Sequence, residues 1–382
     1  MTVGNSKLGK NFWLAVFSLV GTTIGAGIFA LPYVFSRAGF IFGFAELLLL
    51  GALMLLIQLM VGEITLRTRG KKRLLGYSQL YLNKIWHRLL TISTIFIGIG
   101  SLLAYLILAG NFISILFNLN IFSSTLLFFA IWFFSILIKA RTFGKTEFYL
   151  GRLSIAFIIF ITLFNLRYIN IENFLALNID NVLLPYGVIL FAITGAYVIP
   201  EMEEILGHNK RQLKKAIIFG TLIPIITYLL FVVAVVGVSD SFTTPDAISG
   251  LAQALNSKFI LIIGALVGLF AVFEASLSYG IYFKETLWYD LKINKWLAWI
   301  LSGALPLSLF LLGAHSFIQV ISVIGSVFLG FQFIMILWMH KRSKSSETKP
   351  DYEIKLPKNI YWILAALLCL GAILEVWHNL SP

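Results

Sequence analysis

The sequence predicts an all-α protein that crosses a membrane many times. Of its 382 residues, 59% are hydrophobic and only 12% are charged, a balance that excludes a soluble domain. Eleven apolar runs are each long enough to cross about 30 Å of hydrocarbon. The single cysteine, Cys369, excludes an intrachain disulfide and a CxxC metal or redox site. No cofactor and no metal site are predicted.

The apolar runs are separated by polar connections that leave no room for a soluble domain. The predicted helices cover residues 11–36, 40–66, 88–117, 122–139, 147–166, 182–206, 214–238, 257–285, 294–312, 317–340 and 359–379. We interpret residues 1–10 as a cytoplasmic tail and residues 341–358 as a cytoplasmic linker before the eleventh helix.

The basic residues determine the predicted orientation. A net charge of +12 would suit a nucleic-acid partner as well as a membrane protein. With a cytoplasmic N-terminus, however, 26 of the 29 lysines and arginines lie in cytoplasmic segments, and only Arg37, Arg167 and Lys258 lie outside. This asymmetry follows the positive-inside rule. We therefore expect the lipid bilayer, and no nucleic acid, as the partner, and an external C-terminus.

The first helix contains a stretch that weakens helices, GTTIGAG at residues 21–27. Three glycines and two threonines in seven positions predict a break near the middle of the membrane. Unwound backbone is tolerated there only where it is buried or lines a polar cavity. The alternative is a close-packing surface, because Gly21 and Gly25 form a GxxxG pair.

The sixth helix repeats this irregularity. Residues 183–201 are apolar but are interrupted by Thr194-Gly195 and then by Pro200. Five helices separate the two breaks, and an odd number of crossings turns the second unit upside down. Residues 11–166 and 182–340 therefore predict two inverted five-helix repeats. Interrupted helices at corresponding places of such repeats indicate a transporter site at the midplane, and this coincidence disfavours the packing alternative for the first break.

These motifs resemble the amino acid/auxin permease group of the amino acid–polyamine–organocation superfamily, especially its bacterial aromatic and hydroxy amino acid permeases. The resemblance rests on residues 21–32, on 199–204 (IPEMEE), and more weakly on 276–280 (SLSYG) and 288–290 (WYD). It implies a LeuT-type fold with discontinuous helices 1 and 6, two inverted repeats of five helices and one further helix. It also implies amino acid uptake coupled to protons or sodium.

The resemblance further implies how an amino acid binds. Backbone N–H groups of residues 23–27 would hold its carboxylate, and carbonyls at both breaks, including residues 191–194, would hold its ammonium group. Two broken helices supply such donors and acceptors without a buried fixed charge. The candidate substrate-binding residues are Thr22, Thr23, Ile24, Gly25, Ala26, Gly27, Tyr105, Phe191, Ala192, Ile193, Thr194 and Gly195.

Several of these side chains have a structural alternative. The hydroxyls of Thr22, Thr23 and Thr194 can bond back onto their own helix instead of to a ligand. Tyr105 lies in a stripe of mainly small residues on the third helix, where it would either close the site or pack against other helices. Tyr197 is a weaker candidate for the side-chain pocket.

Glu274 is the candidate coupling residue, together with Ser278. A carboxylate near the middle of the membrane is energetically costly, so we interpret this residue of the eighth helix as functional. Glu274 departs from the pattern of the family that the chain resembles, in which a small hydroxyl-bearing or apolar residue is expected at this position. It would carry a proton, or ligate Na⁺ in a site near Thr22, Gly25, Glu274 and Ser278. The structural alternative is an ion pair, with Arg152 as the partner.

The resulting hypothesis is a secondary active transporter that imports a neutral, aromatic or hydrophobic amino acid by alternating access, with protons as the coupling ion. A sodium-coupled symporter and a non-transporting amino acid sensor remain as alternatives. The chain has no P-loop for ATP-driven transport and no HExxH, GxSxG or membrane Asp pair for catalysis, so we do not expect an enzyme. A channel is disfavoured because two central breaks suit an enclosed site.

Overall fold

The computed structural model describes residues 2–137, 156–346 and 348–380. Within them, seven helices are long and apolar enough to cross a membrane. The bent pair Gly9–Thr23 and Gly27–Ala38, with an angle of 55°, makes an eighth crossing, and Ile121–Ser135, Ala156–Tyr168 and Lys295–Leu311 are shorter apolar helices. All eleven predicted helices thus have a counterpart. Residues 138–155, which include Arg152 and most of the connection between the fourth and fifth helices, lie outside the described residues.

The helices begin and end close to the predicted positions. In order they are Thr2–Thr23 with Gly27–Ala38, Phe40–Arg67, Lys84–Phe117, Ile121–Ser135, Ala156–Tyr168, Leu184–Ala192 with Ile199–Leu206, Leu213–Ser239, Lys258–Glu285, Lys295–Leu311, Phe317–Val323 with Gly330–Ser343, and Lys358–Leu380. We number them as the first to the eleventh helix. Both predicted breaks, in the first and sixth helices, are confirmed.

Polar caps define several of these ends. The Asn83 side chain accepts a hydrogen bond from the backbone of Trp86 at 3.0 Å and starts the third helix. Asn120 does the same for Ser123 at 2.7 Å at the start of the fourth helix. Such caps satisfy N–H groups that have no partner within the helix. Asn118 ends the third helix in a left-handed conformation, with φ of 53°.

The structure adds elements that the hydrophobic pattern did not predict. Two short helices, Leu74–Tyr81 and Ile248–Ala254, lie in the connections after the second and seventh helices. A π-helical segment, Ile324–Leu329, interrupts the tenth helix. A Cβ atom added at Gly325 would lie 1.8 Å from the Gly187 carbonyl oxygen. The tenth helix therefore touches the sixth through bare backbone, which only glycine permits.

The linker predicted at residues 341–358 packs against the second helix. The buried carboxylate of Glu63 accepts hydrogen bonds from Arg67 Nε at 2.8 Å and from the Ile354 backbone at 2.7 Å, and it lies 2.9 Å from His340 Nε2. Tyr352 donates to the Leu59 carbonyl at 2.7 Å. These contacts tie the second helix to the end of the tenth helix and to the linker.

Candidate functional site

A central cavity lies where the two broken helices meet. It encloses about 670 Å³ of empty space, part of which is continuous with solvent. The first, third, sixth, eighth and tenth helices contribute to its wall. The lining residues are Thr22, Thr23, Gly25, Ala26, Gly27, Leu74, Thr94, Ile97, Ser101, Tyr105, Phe191, Ala192, Thr194, Tyr197, Tyr279, Tyr282, Leu329 and Gln332. None of these lining residues is an Asp, Glu, Lys, Arg or His.

The first break exposes backbone donors to this cavity. Ile24 N still donates to the Val20 carbonyl at 2.9 Å. The N–H groups of Gly25, Ala26 and Gly27, by contrast, donate to no backbone carbonyl in the described ranges. They stand at the start of the helix Gly27–Ala38, where the helix dipole favours negative charge. The break is therefore suited to hold a carboxylate.

The second break presents carbonyl oxygens that are braced by side chains. Tyr228 shares its hydroxyl proton between the carbonyls of Thr23 and Ala192, at 2.6 and 2.9 Å. Gln58 Nε2 lies 3.5 Å from the Ile193 carbonyl oxygen, and the Gln58 oxygen in turn accepts from Thr221. Tyr228 thus joins the two breaks directly, and Gln58 contacts a carbonyl of the second break only.

Two glycines allow the broken helices to approach each other. A Cβ atom added at Gly27 would lie 2.7 Å from Ala192 Cα, and one added at Gly195 would lie 2.6 Å from Thr23 Oγ1. Real Cβ atoms essentially never come this close to a neighbour. Gly27 lines the cavity, whereas Gly195 does not. Gly195 therefore packs closely against Thr23 and, like Ile24 and Ile193, lies outside the cavity lining.

The threonines of the first break are bonded within their own helix. Thr22 Oγ1 donates to the Ser18 carbonyl at 2.7 Å, and Thr23 Oγ1 donates to the Leu19 carbonyl at 2.8 Å. Each hydroxyl still has lone pairs that can accept from a ligand. Tyr105 faces the break, because a Cβ atom at Gly25 would lie 3.6 Å from its hydroxyl oxygen.

Sequence reasoning missed a group of tyrosines on the eighth helix. Tyr279 and Tyr282 line the cavity together with Tyr197. The ring centroids of Tyr197 and Tyr282 are 4.8 Å apart, and those of Tyr105 and Tyr279 are 6.4 Å apart. The spacing could have indicated them, because positions 275, 279 and 282 have the i, i+4, i+7 spacing of one helix face. In the structure, Ala275 on this face approaches Gly25 of the first break.

The two ends of the cavity differ. Beyond the lining residues Gly27 and Tyr105 along their helices, the rings of Phe29 and Phe112 meet at 5.3 Å, and Phe29 also contacts Phe231. On another side Leu74 and Tyr282 line the cavity, and next to Leu74 in the chain Arg73 Nη2 pairs with Glu285 Oε2 at 3.0 Å. The Arg73 guanidinium lies 5.7 Å from the Tyr282 ring centroid.

Comparison with known proteins shows the family of the chain. Residues 9–378 match the model of the tryptophan/tyrosine permease family. The chain belongs to this family. Similar proteins include glutamine transporter 2 of Aliivibrio fischeri, 26% identical over 93% of this chain and 94% of that protein. Another is the low affinity tryptophan permease of Proteus vulgaris, 23% identical over 95% of this chain and 94% of the other.

Solved structures agree on the fold of the permease. The complex of MhsT with L-phenylalanine has a TM-score of 0.67 at 15% identity and covers 96% of this chain and 98% of the other. A manganese transporter from Eremococcus coleocola, in complex with an aromatic bis-isothiourea substituted compound, has a TM-score of 0.68 at 14% identity, covering 98% and 87%. These likenesses confirm the LeuT-type fold, and the family makes the permease a transporter and not an enzyme.

The candidate coupling residues Glu274 and Ser278 lie on the eighth helix of the permease, next to a residue that approaches the first break. A Cβ atom at Gly25 would lie 3.6 Å from Ala275 Cβ, the residue next to Glu274. Glu274 and Ser278 are half-buried, and each takes part in an interaction with another group. Neither lines the central cavity, and Arg152, the predicted ion-pair partner, lies outside the described residues. No group of three or more potential metal ligands occurs in the part of the chain that the structure describes.

Proposed function

We propose that the permease imports a neutral amino acid with an aromatic or hydrophobic side chain. The observation that carries this proposal is the central cavity, which combines free backbone donors, braced carbonyls and a wall of tyrosines with no ionisable acid or base of the Asp, Glu, Lys, Arg or His type in its described lining. An unpaired charged side chain would be costly to bury there. The names of two relatives, a glutamine transporter and a tryptophan permease, also support a neutral amino acid.

The zwitterion has complementary partners at the two breaks. Its carboxylate accepts from the N–H groups of residues 25–27, which have no backbone acceptor in the described ranges. Its ammonium group donates to the carbonyls of the second break at residues 191–194. The substrate side chain then lies against the rings of Tyr105, Phe191 and Tyr279, which line the same cavity. Thr194 contributes a hydroxyl from the edge of the second break.

We propose that the permease works by alternating access, and the two unlike ends of the cavity support this proposal. In this proposal the contact between Phe29 and Phe112 closes one end. The closure at the other end consists of the ion pair between Arg73 and Glu285 and of the Tyr282 ring beside Arg73. In our proposal the inverted repeats 11–166 and 182–340 move relative to each other, so that each closure opens in turn. Lys71 also pairs with Glu204 at the second end, so two ion pairs hold the loop after the second helix.

Glu274 is the proposed coupling residue, with protons as the driving ion. Glu274 is half-buried, and its neighbour Ala275 approaches the first break, so we expect the surroundings of Glu274 to change when the first helix moves. We expect Glu274→Gln, which resembles a permanently protonated carboxyl group, to retain exchange of amino acid across the membrane. Uphill uptake driven by a pH gradient should fall by roughly ten-fold or more. The measurement is uptake of labelled tryptophan, tyrosine, phenylalanine and glutamine into proteoliposomes.

The same proteoliposomes separate the alternatives. Sodium and pH gradients are imposed separately, and Glu172→Gln, at an exposed loop carboxylate, is the control. Sodium-dependent uptake that weakens in Glu274→Gln would favour a sodium site near Thr22, Gly25, Glu274 and Ser278. Binding without any flux in the parent protein would favour a sensor. Unchanged pH-driven accumulation in Glu274→Gln would refute its coupling role.

We also propose that the N-terminus is cytoplasmic and the C-terminus external. The distribution of lysine and arginine supports this orientation. The contacts of Arg67 with Glu353 and of Arg342 with the Tyr81 carbonyl agree with these segments sharing one side of the membrane. In a Cys369→Ser background, we expect Ser345→Cys to react with a membrane-impermeant maleimide only after the cells are permeabilised. Asp180→Cys, predicted to be external, should react in intact cells. The reverse pattern would invert the topology.

A further inference from the structure

A second cleft lies on the lipid-facing surface of the permease, between the fifth and eighth helices. It encloses about 320 Å³ of empty space, part of it open to the surroundings. Its walls are apolar except for one residue, and Phe160 and Phe259 are 52% and 65% exposed. The lining residues are Phe157, Phe160, Ile161, Phe164, Asn165, Phe259, Ile260, Ile263 and Gly264. Because these exposed rings belong to membrane helices, the surroundings of the cleft are the bilayer.

Asn165 is the polar exception. It is only 1% exposed, and neither its side-chain oxygen nor its side-chain nitrogen has a hydrogen-bond partner within the described ranges. Leaving such an amide without partners in an apolar environment costs on the order of 1–3 kcal/mol. A neighbouring residue of the same helix shows the usual arrangement, because buried Thr162 donates to the Ile158 carbonyl at 2.8 Å. Asn165 therefore has no hydrogen-bond partner among the residues that the structure describes, and a molecule bound in the cleft could supply one.

The position of Asn165 indicates which part of a lipid can reach it. It lies three residues before the end of the helix Ala156–Tyr168, or about 5 Å at 1.5 Å per residue. The headgroup and interfacial region adds roughly 5–8 Å on each side of the hydrocarbon core, so a helix end at the headgroup level places Asn165 near the ester groups of a phospholipid. Arg167 stands at the same end, with its guanidinium 5.0 Å from the Phe164 ring and 4.7 Å from the Tyr168 ring. Lys258 starts the eighth helix next to Phe259, so a second cation lies at this end.

We propose that this cleft binds a phospholipid of the surrounding bilayer. One acyl chain fills the space between the phenylalanines of the two helices, where burial of its methylene groups is favourable. An ester carbonyl accepts a hydrogen bond from Asn165 Nδ2. The phosphate lies against Arg167, whose planar guanidinium suits phosphate oxygens. This site is separate from the central cavity and does not depend on which amino acid the permease transports.

The test uses purified, delipidated permease in detergent with dioleoylphosphatidylglycerol as the probe. Native mass spectrometry measures the fraction that carries the lipid at each concentration. We expect Asn165→Leu and Arg167→Gln each to weaken binding by about five-fold, the size expected for one hydrogen bond or charge contact. Two matched controls should change binding less than two-fold. These are Thr162→Val on the same helix and Arg37→Gln, which lies 5.1 Å from the Tyr33 ring at another external position.

Two further measurements test which part of the lipid is bound. The results also show whether another molecule occupies the cleft. Dioleoylglycerol, which lacks phosphate, should bind weakly and lose its sensitivity to Arg167→Gln, and inorganic phosphate alone should not bind. Unchanged phospholipid binding by Asn165→Leu overturns the proposal. In that case, a lower melting temperature of the lipid-free variant would indicate a buried water as the amide's partner. Loss of a dimer in the spectra would indicate a second copy of the chain.

Discussion

Replacing Gly27 with alanine is expected to reduce transport strongly. The added methyl group would lie 2.7 Å from Ala192 Cα, which is backbone and cannot turn aside as a long side chain can. Overpacking of this kind costs about 1–3 kcal/mol. Since this contact joins the two breaks, relieving the overlap would displace the backbone groups that form the site. We expect uptake to drop by roughly ten-fold or more, as measured in proteoliposomes with equal amounts of reconstituted protein.

Two other glycines of the same helix serve as controls. A Cβ atom at Gly21 would meet no atom within 4 Å, so Gly21→Ala should leave uptake unchanged and stabilise the helix. A Cβ atom at Gly25 would lie 3.6 Å from Ala275 Cβ and from Tyr105 Oη, which is ordinary contact. Gly25→Ala should therefore change substrate affinity more than stability. Normal uptake by Gly27→Ala would mean that the close contact between the breaks is dispensable.

Tyr228→Phe is expected to weaken substrate binding by about ten-fold. The variant removes the one proton that Tyr228 shares between the carbonyls of Thr23 and Ala192. Two buried acceptors then lose their partner, at a cost of about 1–3 kcal/mol. Because Tyr228 does not line the cavity, it acts by positioning the two breaks and not by touching the substrate. Isothermal titration with the transported amino acid measures the affinity.

The matched control for Tyr228 is Tyr186→Phe. Tyr186 also donates its hydroxyl proton to a carbonyl, that of Leu368 at 3.3 Å, but at the contact between the sixth and eleventh helices. We expect this variant to lower the melting temperature without changing substrate affinity. Equal loss of affinity in both variants would indicate a general loss of stability, and unchanged affinity in Tyr228→Phe would refute the positioning role.

The break positions illustrate how much of the site sequence reasoning could predict. Glycine and threonine within an apolar run indicate unwound backbone. Both interruptions predicted in this way lie within a few residues of the breaks in the structure. It could not distinguish Gly27, which lines the cavity and touches Ala192, from Gly195, which packs against Thr23 away from the cavity. That distinction depends on the distance between two helices that are far apart in sequence.

Tyr228 and Gln58 were missed for the same reason. Each lies in a helix that looks like an uninterrupted apolar span, and nothing in the local pattern relates them to the breaks. Their partners are 205 and 135 positions away along the chain. The linker contacts of Glu63 with His340 and Ile354 are of the same kind, spanning 277 and 291 positions.

The sequence by itself determined that this chain is a multi-pass membrane protein, where its helices lie and which two of them are broken. These properties depend on hydrophobic length and local helix propensity, which neighbouring residues decide. Only the tertiary structure decided which side chains meet at the breaks, that Tyr279 and Tyr282 face the cavity, and that Asn165 is buried without a partner in the described ranges. These depend on packing between distant helices, because hydrogen bonds and close contacts require separations of a few ångströms that local patterns do not encode.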